Sequence, residues 1–227
     1  MSDLETPRSD LGQGSWERAR RPYQVAERRE AILVAASRLV DEAGIEGAGL
    51  SAIAREVGLS KANLYRYFES REAVLLALLK DEMVLWAEGL RARVEAMGEV
   101  TAFTLAQTLT LSYEGRERYC SLFSSLASVL EQNLGVETIR AFKSDSMQLI
   151  GDIVALLERR VPEIEPAVWI EFLLQHAMYL SGLWPHCYPS ESVRRVLDDD
   201  QFAVLRFKFA ESIQRQSERY LKGIGLE

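Results

Sequence analysis

The chain has 227 residues, of which 48% are apolar, and this suits one domain or a small domain joined to a larger one. No apolar run approaches the ~20 residues that cross a bilayer, and the first residues lack the pattern of a secretory signal. The two cysteines, Cys120 and Cys187, are too few for a disulfide framework. These exclusions favour a cytoplasmic protein with reduced thiols and no membrane partner.

The net charge of −7 argues against a uniformly basic nucleic-acid binder, but the charge is unevenly distributed. Residues 1–80 hold 12 basic and 12 acidic side chains, so the acidic surplus lies after residue 80. Residues 14–38 hold six arginines against three glutamates. Because salt screens charge beyond ~8–10 Å, an acidic body can still carry a head that binds phosphate.

Residues 1–22 are predicted to form a disordered basic arm. Residues 1–15 are polar and have little to bury, and Arg18, Arg20 and Arg21 precede Pro22. Such an arm either reaches the minor groove or the DNA backbone, or is a solvated tail. Its composition favours the tail.

Four helices are predicted between residues 25 and 97. The first spans 25–43, has apolar residues at helical spacing, and is stopped by Gly44. The second begins near Leu50 and ends at Gly58. The third spans 61–68 with Ser60 as N-cap, and the fourth follows Ser70 and extends to about residue 97.

The remainder also has a helical pattern. The predicted segments are 99–113, 115–133, 136–160, 165–184 and 201–222, separated by glycines and prolines. No strand alternation or internal repeat is evident. We therefore predict an all-α fold, with an N-terminal three-helix bundle at 23–71 and a larger C-terminal helical domain at 72–227.

The segment from Ile53 to Phe68 has the spacing of a helix-turn-helix. Ala54 is small where two helices cross, and Gly58 tolerates the positive φ of the turn. A plain helical hairpin is the alternative interpretation. A hairpin does not require the polar and aromatic outer face of the third helix, which consists of Lys61, Asn63, Tyr65, Arg66 and Tyr67.

The run from Ile32 to Leu79 resembles the N-terminal domain of the tetracycline-repressor-like (TetR/AcrR) family of bacterial transcription regulators. The resemblance covers about a fifth of the chain, whereas residues 100–227 resemble the family only in helical character and length. The matching residues are Ala35-Ala36, Leu39, Gly44, Ile53-Ala54, Val57-Gly58-Leu59-Ser60-Lys61, Leu64-Tyr65-Arg66-Tyr67-Phe68 and Arg71-Glu72-Ala73-Val74-Leu75.

The resemblance implies an interface with an operator in double-stranded DNA. Arg66 is expected to read a base and Arg71 to contact a phosphate. Tyr67 is expected either to reach phosphate or to join the core. The family usually places Thr or Ser at the start of helix two; here Ser51, one position later, is expected to supply the hydroxyl. The implied DNA-binding residues are Ser51, Ser60, Lys61, Ala62, Asn63, Tyr65, Arg66, Tyr67 and Arg71.

Segments 165–184 and 201–222 are predicted to form a homodimer interface. The first is apolar nearly all round and must be covered on more than one side. Two heads about one helical turn apart (~34 Å) read a palindrome, which requires a two-fold dimer. The alternative is that both helices are core of a monomer.

The resemblance also implies a cavity in the C-terminal bundle for a small apolar or aromatic effector. For each candidate residue the alternative is ordinary core packing, and His176 is more simply a core histidine than an effector partner. The candidates are Phe103, Phe123, Leu126, Met147, Trp169, Phe172 and His176. The adjacent His186 and Cys187 lack further ligands, so no metal or other cofactor is predicted.

Together these features predict a ligand-responsive, dimeric transcription regulator, specifically a repressor that binds a palindromic operator. The alternative is a small-molecule-binding helical dimer that does not recognise an operator. An enzyme is not favoured, because no nucleophile–base pair, phosphate-binding glycine loop or metal cluster is evident in the sequence.

Overall fold

The computed structural model describes residues 13–227, with side chains from residue 23 onward. Within that range it contains helices and no strand, which confirms the all-α prediction. The helices are α1 (Gln13–Gly47), α2 (Leu50–Glu56), α3 (Lys61–Leu64), α4 (Arg71–Ala96), α5 (Ala102–Leu111), α6 (Glu117–Ser124), α7 (Val136–Arg160), α8 (Pro166–Cys187), α9 (Glu191–Leu197) and α10 (Phe209–Gly223). A π-helical turn (Leu126–Leu130) follows α6, and a 3₁₀ turn (Asp200–Leu205) follows α9.

Helix α1 begins earlier than the sequence suggested. Its backbone is helical from Gln13, so residues 13–22, which were expected to be disordered, form its first turns. The run 17–20 (Glu-Arg-Ala-Arg) consists of good helix formers, and this favours the extension. Residues 1–12 of the predicted arm lie outside the described residues. At the other end, Gly44 leaves helical geometry with φ 69°, where the stop was predicted.

Helices α1 to α3 pack around a small apolar centre. Ile32, Ile53 and Leu64 have no exposed surface, and Ala36 lies where α1 approaches its neighbours. We call α1–α3 the head. Their stability comes mainly from packing, because α2 and α3 are too short to be stable as isolated helices.

Helix α4 connects the head to the rest of the chain, which we call the body. It starts at Arg71, after the N-cap Ser70, whose hydroxyl accepts from the backbone N–H of Ala73, and it ends at Ala96. It packs against α1 on the head side and against α6 and α7 in the body. Buried residues therefore continue along α4 from the head into the body.

Two predicted body helices are wrong in part. Segment 115–133 divides into α6 and the π-helical turn. Segment 201–222 begins with the 3₁₀ turn, becomes helical again only at Phe209, and is preceded by the unpredicted α9. The reason is local: Asp199 caps the 3₁₀ turn through the Gln201 N–H, and Arg206 donates to the carbonyl oxygens of Leu197 (2.6 Å) and Asp198 (2.9 Å).

Among the described helices, none is both long enough and apolar enough to pass through a lipid bilayer. Helix α8 is long and strongly apolar, but it packs against α6, α7 and α10 of the same chain.

Candidate nucleic-acid interface and ligand-binding body

The turn between α2 and α3 is built on Gly58. Its φ is +66°, a conformation that side chains with a Cβ rarely adopt. The turn is closed by hydrogen bonds from Gly58 N–H to Arg55 O (3.2 Å) and from Leu59 N–H to Ala54 O (2.8 Å). This geometry confirms that the segment is two short helices joined by a sharp turn.

Helix α3 is shorter than predicted but its side chains keep helical order. Ser60 is the N-cap, as predicted, and its hydroxyl accepts from Asn63 N–H at 3.2 Å. Regular helix ends at Leu64, yet the bonds Tyr65 N–H to Lys61 O (3.3 Å) and Phe68 N–H to Leu64 O (3.2 Å) continue the pattern. After α3 the chain therefore continues as hydrogen-bonded turns to residue 68.

The two faces of this segment differ sharply. Leu64 and Phe68 are buried against the head core. The residues exposed to solvent are Ser60, Lys61, Ala62, Asn63, Tyr65 and Arg66. The structure thus brings most of the predicted DNA-binding residues together on one outward surface, which we call the recognition surface.

Tyr67 was expected either to reach phosphate or to join the core, and its position is intermediate between the two. Its side chain is half-buried and packs against the core. Arg29 of α1 donates to the Tyr67 carbonyl, and its guanidinium lies 4.1 Å from the Phe68 ring centroid. Arg29 was not singled out from the sequence, because a contact between residues 38 positions apart has no local signal.

Arg71 is placed differently from the expectation that it faces phosphate. Its Nε donates to Ala48 O at 3.1 Å and its terminal nitrogen donates to Ile45 O, so the guanidinium closes the α1–α2 connection. Glu46 Oε2 lies 3.8 Å from the same nitrogen. Ser51, by contrast, is exposed, and Gly49 caps α2 without a side-chain hydrogen bond.

The predicted effector residues do not surround one cavity. Phe103 lies on the outer surface of α5, and Met147 is 56% exposed on α7. Phe123 and Leu126 are half-buried near α6. The remaining three, which are Trp169, Phe172 and His176, are fully packed on the inner face of α8.

His176 is a hydrogen-bonded core residue, the simpler of its two interpretations. Its Nε2 lies 2.8 Å from the Tyr113 hydroxyl, and its Nδ1 lies 3.0 Å from the Ser217 hydroxyl. Burial lowers the pKa of the imidazole from 6.5 to about 4, because the charged form loses its hydration. The ring is therefore neutral near pH 7.

A groove runs between α4 and α7. One part has a volume of about 230 Å³. Its lining combines the apolar Met83, Val84, Phe142 and Leu149 with the polar or charged Lys80, Asp145, Ser146, Gln148 and Asp152. A neighbouring part of about 410 Å³ reaches the head at Tyr67 and Phe68. Met147 lies next to this groove, on the outer side of α7, where it lines a shallow surface of its own.

Helix α8 presents an outward apolar stripe. Leu174 is 43% and Met178 is 66% exposed, while the opposite face of the helix is buried. The apolar face predicted for segment 201–222 consists of Phe202, Leu205, Phe209, Ile213 and Tyr220. Ile213 is buried within the single chain, and Phe209 and Tyr220 pack partly buried against the core. Leu205, in the 3₁₀ turn, is 48% exposed.

Comparisons with known proteins match both parts of this architecture. Residues 32–78 match a family described as bacterial regulatory proteins, tetR family, and residues 80–226 match a tetracyclin repressor-like C-terminal domain. The HTH-type transcriptional regulator RutR of Escherichia coli (strain K12) is 28% identical over 152 residues, covering 67% of this chain. The chain spans 66%, just under two thirds, of that relative's length.

Solved structures share the fold at low identity. A TetR/AcrR-family regulator from Thermobifida fusca has a TM-score of 0.53 at 21% identity, covering 86% of this chain and 96% of its own. The fatty acid degradation regulator FadR from Bacillus halodurans has a TM-score of 0.54 at 15% identity, covering 88% and 97%.

Proposed function

The chain belongs to the tetracycline-repressor-like (TetR) family, and from this premise we propose that it is a ligand-responsive regulator that binds a palindromic operator as a homodimer and represses transcription. The family is one of transcription regulators rather than enzymes. The proposal takes residues 23–71 as the DNA-binding domain, residues 72–227 as the ligand-binding and dimerisation domain, and the cytoplasm as the place of action.

One observation supports the proposal above all: the recognition surface faces solvent, is polar, and is held in place by buried residues on its inner side. The Gly58 turn sets the angle of α3, and Leu64 and Phe68 fix its inner face. Lys61, Asn63 and Arg66 project from the outer face with no ion-pair partner among the described residues. An outward short helix with free basic and amide side chains suits the edges of bases in a major groove.

The roles within this surface follow from chemistry. Arg66 reads a guanine, because a guanidinium donates two parallel hydrogen bonds to O6 and N7. Lys61, Asn63 and Tyr65 hold the helix in register on phosphates and base edges, and Ser51 adds a contact from α2. Arg71 donates its hydrogen bonds to backbone carbonyls inside the head, so it stabilises the recognition surface and does not contact DNA itself.

The effector is a small apolar or aromatic molecule that binds in the body. The α4–α7 groove supports this, because Met83, Val84, Phe142 and Leu149 give it apolar lining and one wall is α4, which starts next to the head. An effector that binds one arrangement of α4 and α7 more tightly than another shifts the protein towards it. Coupling of this kind is typically worth 1–3 kcal/mol.

The dimer forms around the exposed face of α8, supplemented by α10. Leu174 and Met178 supply apolar area next to the small Gly182, which permits close approach of a second copy. The outward side of α10 supplies charged and polar groups such as Glu211 and Arg215.

The test is a footprint on the DNA near the gene that encodes the protein. A protected two-fold symmetric site is expected, and Arg66→Ala should reduce the preference for that site over unrelated DNA by ten- to a hundredfold, as a lost bidentate base contact implies. Arg159→Ala, which removes an exposed arginine from α7, is the matched control and should leave the preference unchanged. Absence of any protected site for the unaltered protein contradicts the proposal.

A second candidate is a small-molecule-binding dimer without operator recognition. The inward orientation of Arg71 and the uncapped start of α2 at Gly49 favour it, since both leave fewer groups for phosphate. Gel shifts on genomic fragments at low salt discriminate, because phosphate contacts are strongest there. Retardation of no fragment supports this second function.

A further inference from the structure

Arg118 of α6 joins the head to the body through two carboxylates on different helices. Its Nε and one terminal nitrogen lie 2.7 Å and 2.6 Å from Glu82 Oε1 on α4. Its other terminal nitrogen lies 2.6 Å from Asp41 Oδ2 on α1. We call Asp41, Glu82 and Arg118 the Arg118 bridge.

We propose that the Arg118 bridge is a positioning device that sets the angle of the head on the body, and hence the presentation of the recognition surface to DNA. This inference rests on the proposed DNA-binding function. Arg118 is a positioning residue, because it lies on α6 and outside the recognition surface.

The environment of Glu82 gives the bridge its strength. The Glu82 side chain is only 7% exposed, and Arg118 is its ion-pair partner in the described part of the chain. If α6 moves away, a buried carboxylate loses its counter-charge, which is far more costly than the loss of a solvated pair. Arg118 is thus held against α4 by Glu82 while its free end holds α1 through Asp41.

The planar shape of arginine makes the double contact possible. Three guanidinium nitrogens point in fixed directions, so one group reaches two helices at once. Next along α6, Tyr119 stacks on Trp86 of α4 with ring centroids 5.5 Å apart. Helix α6 is therefore held to α4 by both charge and packing. Asp41 adds an ion pair from the head to this unit, besides the packing of α1 against α4 and α6.

A matched control exists in the same protein. Asp145 of α7 pairs with Lys80 of α4 at 2.6 Å, so this ion pair joins two helices outside the head. Asp41 and Asp145 are 52% and 49% exposed. Asp41→Asn and Asp145→Asn therefore each remove one half-exposed acid from one ion pair, but only the first removes an ion pair between the head and the body.

The first experiment measures the head–body distance directly. Spin labels are placed at Glu30→Cys on α1 and Arg159→Cys on α7, both exposed, in a Cys187→Ser background; Cys120 is buried. Labelled protein is diluted with unlabelled protein so that distances within one protomer dominate. Asp41→Asn should broaden the distance distribution at least twofold, and Asp145→Asn and the conservative Asp41→Glu should keep it narrow.

The second experiment measures DNA affinity. It separates the bridge from a purely electrostatic effect of removing Asp41, because the two predict changes in operator affinity of opposite sign. Removing an acid from a DNA-binding head reduces repulsion and by itself tightens DNA binding. The bridge predicts that Asp41→Asn weakens operator binding about tenfold, because a loosened head must be ordered on binding. Binding to unrelated DNA should not weaken.

The outcomes separate the two proposals. Equal distance distributions for Asp41→Asn and Asp145→Asn overturn the bridge, whatever the protein does with DNA. Tighter operator binding by Asp41→Asn also overturns it. A broadened distribution in a protein that binds no operator supports the bridge as a head–body joint and contradicts the regulator function instead.

Discussion

Arg71 illustrates how one side chain can serve the fold at a place where a ligand contact was expected. Its position in the first turn of α4 suggested phosphate, yet its donors are used by carbonyl oxygens of the α1–α2 connection. His176 shows the converse, since a polar group on an apolar helix face is fully satisfied by Tyr113 and Ser217. At both positions the hydrogen-bond partners decide the role.

Arg71→Ala should lower the free energy of unfolding by about 1–3 kcal/mol, because it leaves partly buried carbonyl groups without their donor. Urea denaturation followed by circular dichroism measures this. Arg66→Ala, which truncates an exposed arginine nearby, should stay within about 0.5 kcal/mol of the unaltered protein. Equal stability of the two variants would mean that the Arg71 hydrogen bonds do not hold the head.

The burial of His176 should lower the free energy of unfolding in mild acid. Its folded pKa of about 4 lies below the ordinary 6.5, so between these pH values the unfolded chain binds a proton that the folded chain does not. Stability should therefore fall as the pH drops from about 6.5 towards 4, by about 2 kcal/mol at pH 5 from this residue.

The comparison that isolates this effect uses the two histidines of the chain. Urea unfolding at pH 7.5 and pH 5.0 should show a smaller difference in His176→Gln than in the unaltered protein. His186 is exposed, so His186→Gln should keep the full difference. If both variants respond to pH alike, burial of His176 does not control acid stability.

At the scale of elements, the α2–turn–α3 unit is defined by backbone conformation at one residue. Gly58 adopts φ +66° with open space around the position of a Cβ, so any penalty of substitution there comes from the backbone and not from a clash. Gly151 provides the contrast: it lies inside α7, also has open space, and has an ordinary helical backbone.

Gly58→Ala and Gly151→Ala should therefore change the free energy of unfolding in opposite directions. The first should destabilise the protein by about 1 kcal/mol, because alanine is strained in the left-handed region. The second should stabilise it by about 0.5–1 kcal/mol, because alanine is the better helix former. Thermal unfolding of both variants checks the pair, and a stabilising Gly58→Ala would show that the turn does not need its positive φ.

At the scale of the whole molecule, the proposed function depends on two heads held at a defined spacing. One protomer carries one recognition surface, and in the proposed dimer the exposed apolar residues Leu174 and Met178 of α8 face the second copy. Ile213 and Leu221 of α10 are buried within the protomer, so in the proposed dimer the exposed Leu174 and Met178 of α8 supply apolar contact that these two residues do not.

Met178→Glu should convert the dimer to monomer and weaken operator binding more than tenfold, because it places a charge at the centre of the apolar contact. Analytical ultracentrifugation and gel shifts measure the two effects. Met147→Glu is the matched control, since Met147 is similarly exposed but lies on α7, outside the proposed interface. A Met178→Glu protein that remains dimeric would place the interface elsewhere.

Much of the fold was predictable because its signals are local. The start of α4 at Arg71, the span Val136–Arg160 of α7 and the Ser60 cap follow from capping residues and helical periodicity. The outward set of Lys61, Asn63 and Arg66 follows from the same periodicity once Gly58 is identified as the turn. The break within 201–222 was missed, because the Asp199 cap and the Arg206 hydrogen bonds override an apparent apolar stripe.

The sequence by itself determined the helix class, the helix-turn-helix and the family, because these depend on residues a few positions apart. Only the tertiary structure decided the partners of Arg71, the burial of His176 and the Arg118 bridge, whose members Asp41 and Arg118 are 77 positions apart. Such contacts leave no periodic pattern in a single chain. They arise only when packed helices bring distant charges within hydrogen-bonding distance.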